Sequence, residues 1–246
     1  PIIFQYVLGF APLLAVLAIA PFAIALFLGG PISGALLRRY SPRTLMAGGT
    51  VALGIADVAI AAVIWSLGRE TNYLILILPL IGIGAGFVIS TTVRTAIVFA
   101  STPQGLPSSA AAINEASVAL GSRIGIVGAT AVVATVSVDV IRSMVVGQAN
   151  AAEVVEDFRV ALITLGTPRF REIFEVAQER LTEATRLAYV SAYVDGVAVA
   201  LFVCGLVGLG GAFLAWVLIG RRDPIQTVFD MQDERPDPAE PAPADR

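Results

Sequence analysis

The 246-residue chain is 57% hydrophobic and 14% charged, with a formal net charge of −3 and a mean hydropathy of +0.82. Those values lie far from the balance of an ordinary water-soluble domain, and the slight acidity excludes the basic footprint of a nucleic-acid binder. All sixteen basic residues are Arg and no Lys or His occurs, which removes a P-loop lysine, an HExxH metal pair, a Ser-His-Asp triad and a histidine switch. No enzyme activity, cofactor or metal site is expected.

The chain opens with Pro1 and the apolar PIIFQYVLGF, with neither a Met nor a charged n-region, and reads as the end of a helix that begins upstream. Five long apolar runs follow, over 11–37, 44–67, 73–100, 108–138 and 192–220. A hydrocarbon core takes about 20 apolar residues to cross. In lipid every backbone N–H and C=O must be satisfied within its own element, so the runs are expected to be helices. The fold class is therefore all-α transmembrane, with 1–138 holding the end of one helix plus four spans. Pro12, Pro21, Pro31 and Pro79 lie within the runs and are expected to kink them.

Arginines near short loops bias those loops to the cytoplasm. Arg38, Arg39 and Arg43 crowd the first turn, and Arg221 and Arg222 follow the last run. With the first turn inside, alternation puts both clusters on one side of a multi-pass cell (inner) membrane protein. Gly30 with Gly34, Gly82 with Gly86 and Gly121 with Gly125 are four-apart small pairs of the kind that let helices approach. The stretch Gly82 to Phe87 is no nucleotide loop, because Phe87 stands where the last glycine would be and no strand precedes it. Cys204 lies in LFVCGLVG and reads as a small hydrophobe.

The segment 139–191 then falls outside. Val154, Val155, Phe158, Ala161, Leu162 and Leu165 form one apolar stripe at helical spacing, and Phe170, Ile173, Phe174, Ala177, Leu181, Ala184 and Ala188 form another. Gly166, Thr167 and Pro168 separate them. An external amphipathic helical hairpin is expected, serving as a packed cap or as a gate and docking element. The last span is 192–220. Residues 221–246 are rich in Pro, Asp and Glu and read as a disordered cytoplasmic tail.

The turn Gly34-Ala-Leu36-Leu-Arg38-Arg39-Tyr-Ser41-Pro42-Arg43 resembles the G-x-L-a-D-r-x-G-r-r loop of the major facilitator superfamily. Gly34, Leu36, Arg39 and Arg43 match, Arg38 replaces the acidic residue, and Ser41 and Pro42 replace Gly-Arg. The stretch from Ala110 to Ile126, which contains Asn114-Glu115 and Leu120-Gly121-Ser-Arg123-Ile-Gly125-Ile, is similar to the thirteenth helix of the fourteen-helix drug:H+ antiporters, the QacA-like multidrug exporters. These exporters also resemble the chain in carrying a long external loop before their last helix. The resemblance implies the carboxy-terminal helix bundle of a major-facilitator transporter, with residues 1–9 ending a ninth helix, the five runs as helices ten to fourteen, and an amino-terminal half as the missing partner. It implies protons, membrane lipid and small lipophilic or cationic substrates as the other partners, and a conformational latch at Gly34, Leu36, Arg38, Arg39 and Arg43.

Ionisable groups within membrane helices are expensive and point to function by default. Asp57, Arg94, Glu115 and Arg123 are the candidates. Glu115 lies about 12 Å along its helix from Pro107, and the resemblance gives it proton or cation coupling; a structural hydrogen-bonded carboxyl is the alternative. Burial disfavours a carboxylate's charge and a nearby cation favours it, so a group in such a place can trade a proton for a cation. Asp57, about 20 Å from Arg43 along its own helix, is a second coupling candidate, and its depth would also suit a structural ion pair with Arg123. Arg94 is close enough to a helix end to snorkel. The spans' aromatics, among them Trp65 and Trp216, would line a site for lipophilic cations or face lipid. The function expected is proton-coupled export of drugs or lipophilic cations by alternating access. Two alternatives stay open: the same fold moving a native metabolite or lipid, and a non-transporting membrane module that binds a partner through its hairpin.

Overall fold

The computed structural model describes residue 4 and residues 10–67, 72–102, 107–146, 151–163 and 183–219. These form seven helices: α1 Pro12–Leu17, α2 Ala20–Leu37, α3 Pro42–Leu67, α4 Tyr73–Ala100, α5 Pro107–Met144, α6 Ala151–Ile163 and α7 Glu183–Leu218. No strand occurs among the described residues. Five stretches are long and apolar enough to cross a membrane, with α1 and α2 together making the first.

Local chemistry sets several of the ends. The first span is interrupted at Ala18 and Ile19, because Pro21 has no N–H to continue the ladder, and Pro12 and Pro21 each open a helix. Pro31 and Pro79, in contrast, lie inside helices that run on through them. Ser41 precedes Pro42 and accepts the Thr44 N–H on its hydroxyl at 3.3 Å, while Asn72 Oδ1 accepts the Leu74 N–H at 3.0 Å. Both are side-chain caps that satisfy free donors at a helix start.

The main helix pairings are α2 with α4, α4 with α3, α3 with α7, and α7 with α5, and α6 joins the bundle on α5. The spans therefore stand in an order unlike their order in the chain, with α3 in the middle between α4 and α7. Close approach relies on small residues. A Cβ on Gly86 would stand 2.5 Å from the Gly49 carbonyl oxygen, and one on Gly54 would stand 2.8 Å from that of Gly205. Of the three glycine pairs picked out by spacing, Gly82 and Gly86 meet α3, but a Cβ added at Gly30, Gly34, Gly121 or Gly125 would meet no other described residue within 4 Å.

Two contacts fix the sides of the bundle. The Arg43 guanidinium lies 4.2 Å over the Trp216 ring, joining the start of α3 to the end of α7. At the opposite end the Tyr73 hydroxyl donates to the Ala18 carbonyl at 3.1 Å. The arginine-rich turn and α6 consequently occupy opposite ends, as alternation of the spans requires.

At the α6 end the expected boundaries shift. The fourth span was expected to stop at 138 and the last to begin at 192; the helices instead continue to Met144 and start at Glu183. Asp139 ends the fourth apolar run, but it does not end the backbone ladder. The extra turns pack with α6 into a core of Val133, Ile141 and Val145, Val154, Phe158 and Leu162, and Tyr189, Ala192, Tyr193 and Val197. The Tyr189 hydroxyl donates to the Val154 carbonyl at 2.6 Å, and its ring sits 4.7 Å from that of Phe158. The first expected stripe lies on α6 as far as Leu162, while Leu165 and the separating Gly166, Thr167 and Pro168 lie outside the described residues. Residues 170–182 of the second lie outside the described residues, and Ala184 and Ala188 belong to α7. The tail 221–246 also lies outside them.

Candidate functional site

Arg43, Thr50, Asp57 and Ile64 recur every seven residues and so share one face of α3. That face is turned into the angle between α4 and α7. Thr50 meets the Ser90 hydroxyl of α4 at 3.2 Å and donates to the Met46 carbonyl at 2.8 Å. Arg43 stacks on Trp216 of α7, and the Asp57 carboxylate is within electrostatic reach of the Cys204 thiol, also on α7. Ile64 closes the stripe at the far end, among Leu76, Val190 and Val194. Asp57 is half-buried and forms no hydrogen bond or ion pair with another described residue.

A second polar contact lies beside the first. Ser33 of α2, fully buried, donates to the Gly30 carbonyl at 2.8 Å and meets the Thr92 hydroxyl at 3.1 Å. Ser90 and Thr92 thus tie α4 to α3 on one side and to α2 on the other. Sequence reasoning passed over these hydroxyls, although the run Ser90-Thr91-Thr92 inside an apolar helix was their signal.

Glu115 and Arg123 belong to a different environment. Between Ser108 and Gly128 only Ala110 and Asn114 are buried and only Val118 is half-buried; every other residue is exposed. This half of α5 stands away from the bundle, with Ile124 at 72% and Val127 at 69% exposure. Glu115 and Arg123 both lie on it and are exposed, and neither is paired with a described residue. Beside Glu115, the buried Asn114 Oδ1 has no hydrogen-bond partner.

The ion pair expected between Asp57 and Arg123 is not formed. Equal depth does not make two side chains neighbours: Asp57 faces the angle between α4 and α7, whereas Arg123 stands on the free half of α5. The ion pairs among the described residues are Asp139 with Arg142 at 3.8 Å and Glu156 with Arg159 at 3.6 Å, each within one turn and exposed.

The turn that resembles a transporter loop is built at one end of the bundle. Gly34 is exposed, Leu36 is half-buried, and Arg38 caps α2 with its side chain exposed, as is that of Arg39. Arg43 is held by another helix, through its stack on Trp216. Its Nε is buried without a hydrogen-bond partner among the described residues, as is the Nε of Arg94 on α4.

Of the carboxyls carried on the spans, Asp57 stands in an inter-helix angle and Glu115 on an open helix face, each able chemically to take up a proton or attract a cation. No protein-family model and no curated protein matches the chain.

Proposed function

We propose that this chain is the carboxy-terminal half of a proton-coupled secondary transporter of the major facilitator type, exporting drugs or lipophilic cations by alternating access. The observation that carries the reading is the exposure of Glu115 and Arg123 on the free half of α5. Charges in a membrane span that faced only lipid would be costly, so a second membrane-embedded unit belongs against that face. Sites of secondary transporters lie where two such units meet, near the midplane. Glu115 then carries the exchanged proton, and Asp57, without a partner among the described residues, is the second carrier.

The complete transporter, reconstituted in vesicles with an imposed proton gradient and a fluorescent lipophilic cation, tests this. Glu115→Gln keeps the shape of the side chain and removes its charge, and proton-driven efflux should fall about a hundredfold, the scale of losing a proton-transfer group. Efflux at the unmodified rate in that variant would sink the coupling role.

A second reading, a module that docks a partner at the α6 end, draws on the exposed acidic residues Glu153, Glu156 and Asp157, which the α5–α6–α7 core holds in place. Complete absence of transport in the full protein, together with loss of a co-purifying partner when Glu153, Glu156 and Asp157 are replaced by Gln, would favour it.

A further inference from the structure

We propose that the turn between α2 and α3 is a binding site for the headgroup of an anionic phospholipid, held by Arg38, Arg39 and Arg43 against Trp216. The turn brings three guanidinium groups together within six residues, and none of them forms an ion pair with a described residue. Such a concentration of unbalanced positive charge at the end of a span attracts anionic headgroups. The Nε of Arg43 is buried and lacks an acceptor among the described residues, while the flat of the same guanidinium rests 4.2 Å over the Trp216 ring. The stack fixes the fork of Arg43 in one plane, and a phosphate oxygen is the acceptor that geometry suits best.

Position selects a lipid over a soluble phosphate. Along α3 the rise from Arg43 to Trp65 is about 33 Å, close to the roughly 30 Å of a hydrocarbon core. Trp65 and Trp216, both exposed, therefore mark the two faces of the bilayer, as interfacial tryptophans do. Arg43 and Trp216 stand at headgroup level on one of them, with the exposed Tyr40 beside Arg38 and Arg39. The turn is set rigidly enough to present the arginines, since Ser41 caps α3 and Pro42 opens it. A lipid held here would span from the α2–α3 turn to the end of α7 and clamp those elements together.

The full chain carrying Trp65→Phe has Trp216 as its only tryptophan, which makes that residue the reporter. It is reconstituted into phosphatidylcholine vesicles containing increasing fractions of brominated phosphatidylglycerol or of brominated phosphatidylcholine, and quenching of Trp216 is followed. Preferential quenching by the brominated phosphatidylglycerol is expected, weakening about fivefold for each arginine removed in Arg38→Gln and Arg39→Gln. Both side chains are exposed, so these replacements leave the packing intact. Arg38→Lys with Arg39→Lys keeps the charge and should keep most of the preference. Equal quenching by the two lipids would overturn the proposal, as would a preference that survives loss of both charges. Displacement of the lipid by inorganic phosphate would also overturn it, in favour of a soluble phosphoester. So would a preference that emerges only after removal of residues 223–246, because the acidic tail would then be the occupant.

Discussion

A Cβ added at Gly205 would stand 2.6 Å from Val58 Cγ2 and 2.8 Å from the Gly54 carbonyl oxygen. Neither the backbone atom nor a β-branched side chain on the same helix face can yield cheaply, so Gly205→Ala should force α3 and α7 apart and cost about 2 kcal/mol. Gly121→Ala meets open space and should gain about 0.5 kcal/mol from helix propensity alone. Reversible unfolding in mixed micelles measures both, and a Gly205→Ala protein as stable as the parent would discredit the crossing. The contrast also shows why spacing alone misjudged the glycines. Gly54 and Gly205 belong to no four-apart pair that was singled out, because what matters is which helix lies opposite, and that is a property of the assembled bundle. Glu115 can be read from the sequence as a charge within an apolar run, but nothing in its neighbours along the chain says that its side of α5 faces away from the other helices. Depth counting likewise placed Asp57 and Arg123 at one level and could not supply their directions.

Among the elements, α6 depends most on a few contacts. It is 13 residues long and would be marginal as an isolated helix, so its order comes from Val154, Phe158 and Leu162 inserted between α5 and α7. Phe158→Ala should remove about 3 kcal/mol from that local assembly. Limited proteolysis should then cut at α6 well before the spans are attacked; unchanged resistance would mean that α6 is held by something else. Tyr189→Phe is milder, deleting one hydroxyl bond to the Val154 carbonyl, with an expected cost of about 1 kcal/mol. The apolar stripe Val154, Phe158 and Leu162 was fully legible in the sequence, since period 3.6 writes a helix face directly. The lengths of α5 and α7 were not, because a hydropathy run registers where lipid contact stops and is blind to a helix that continues in order to pack on another.

For the whole molecule, the relative placement of the arginine turn and α6 makes a labelling prediction. In sealed vesicles of uniform orientation, with Cys204 replaced by Ser, a cysteine at Arg39 and one at Glu153 should react with a membrane-impermeant thiol reagent from opposite faces. Reaction of both from the same face would break the alternation on which the bundle rests. The free half of α5 gives a second test at this scale. A nitroxide at Gly125 should have high oxygen accessibility in this chain alone in lipid, and lose most of it when the proposed second unit is present. Five spans and their alternation could be read from apolar length and arginine position, since both are summed over many residues. Their order in space could not, because α7 reaches its place between α3 and α5 only through side-chain fit.

The course of α7 has a mechanical consequence. Its 36 residues make a rod about 54 Å long, attached by Tyr189 to α6, crossed in its middle by Gly54 and gripped near its far end by Arg43. No turn or hinge interrupts it. A helix of hydrogen-bonded turns barely stretches, so a tilt imposed where α6 sits is returned, reversed in direction about the glycine crossing, where Trp216 meets the arginine turn. The two faces of the membrane are thereby joined by a lever whose fulcrum is a pair of residues without side chains.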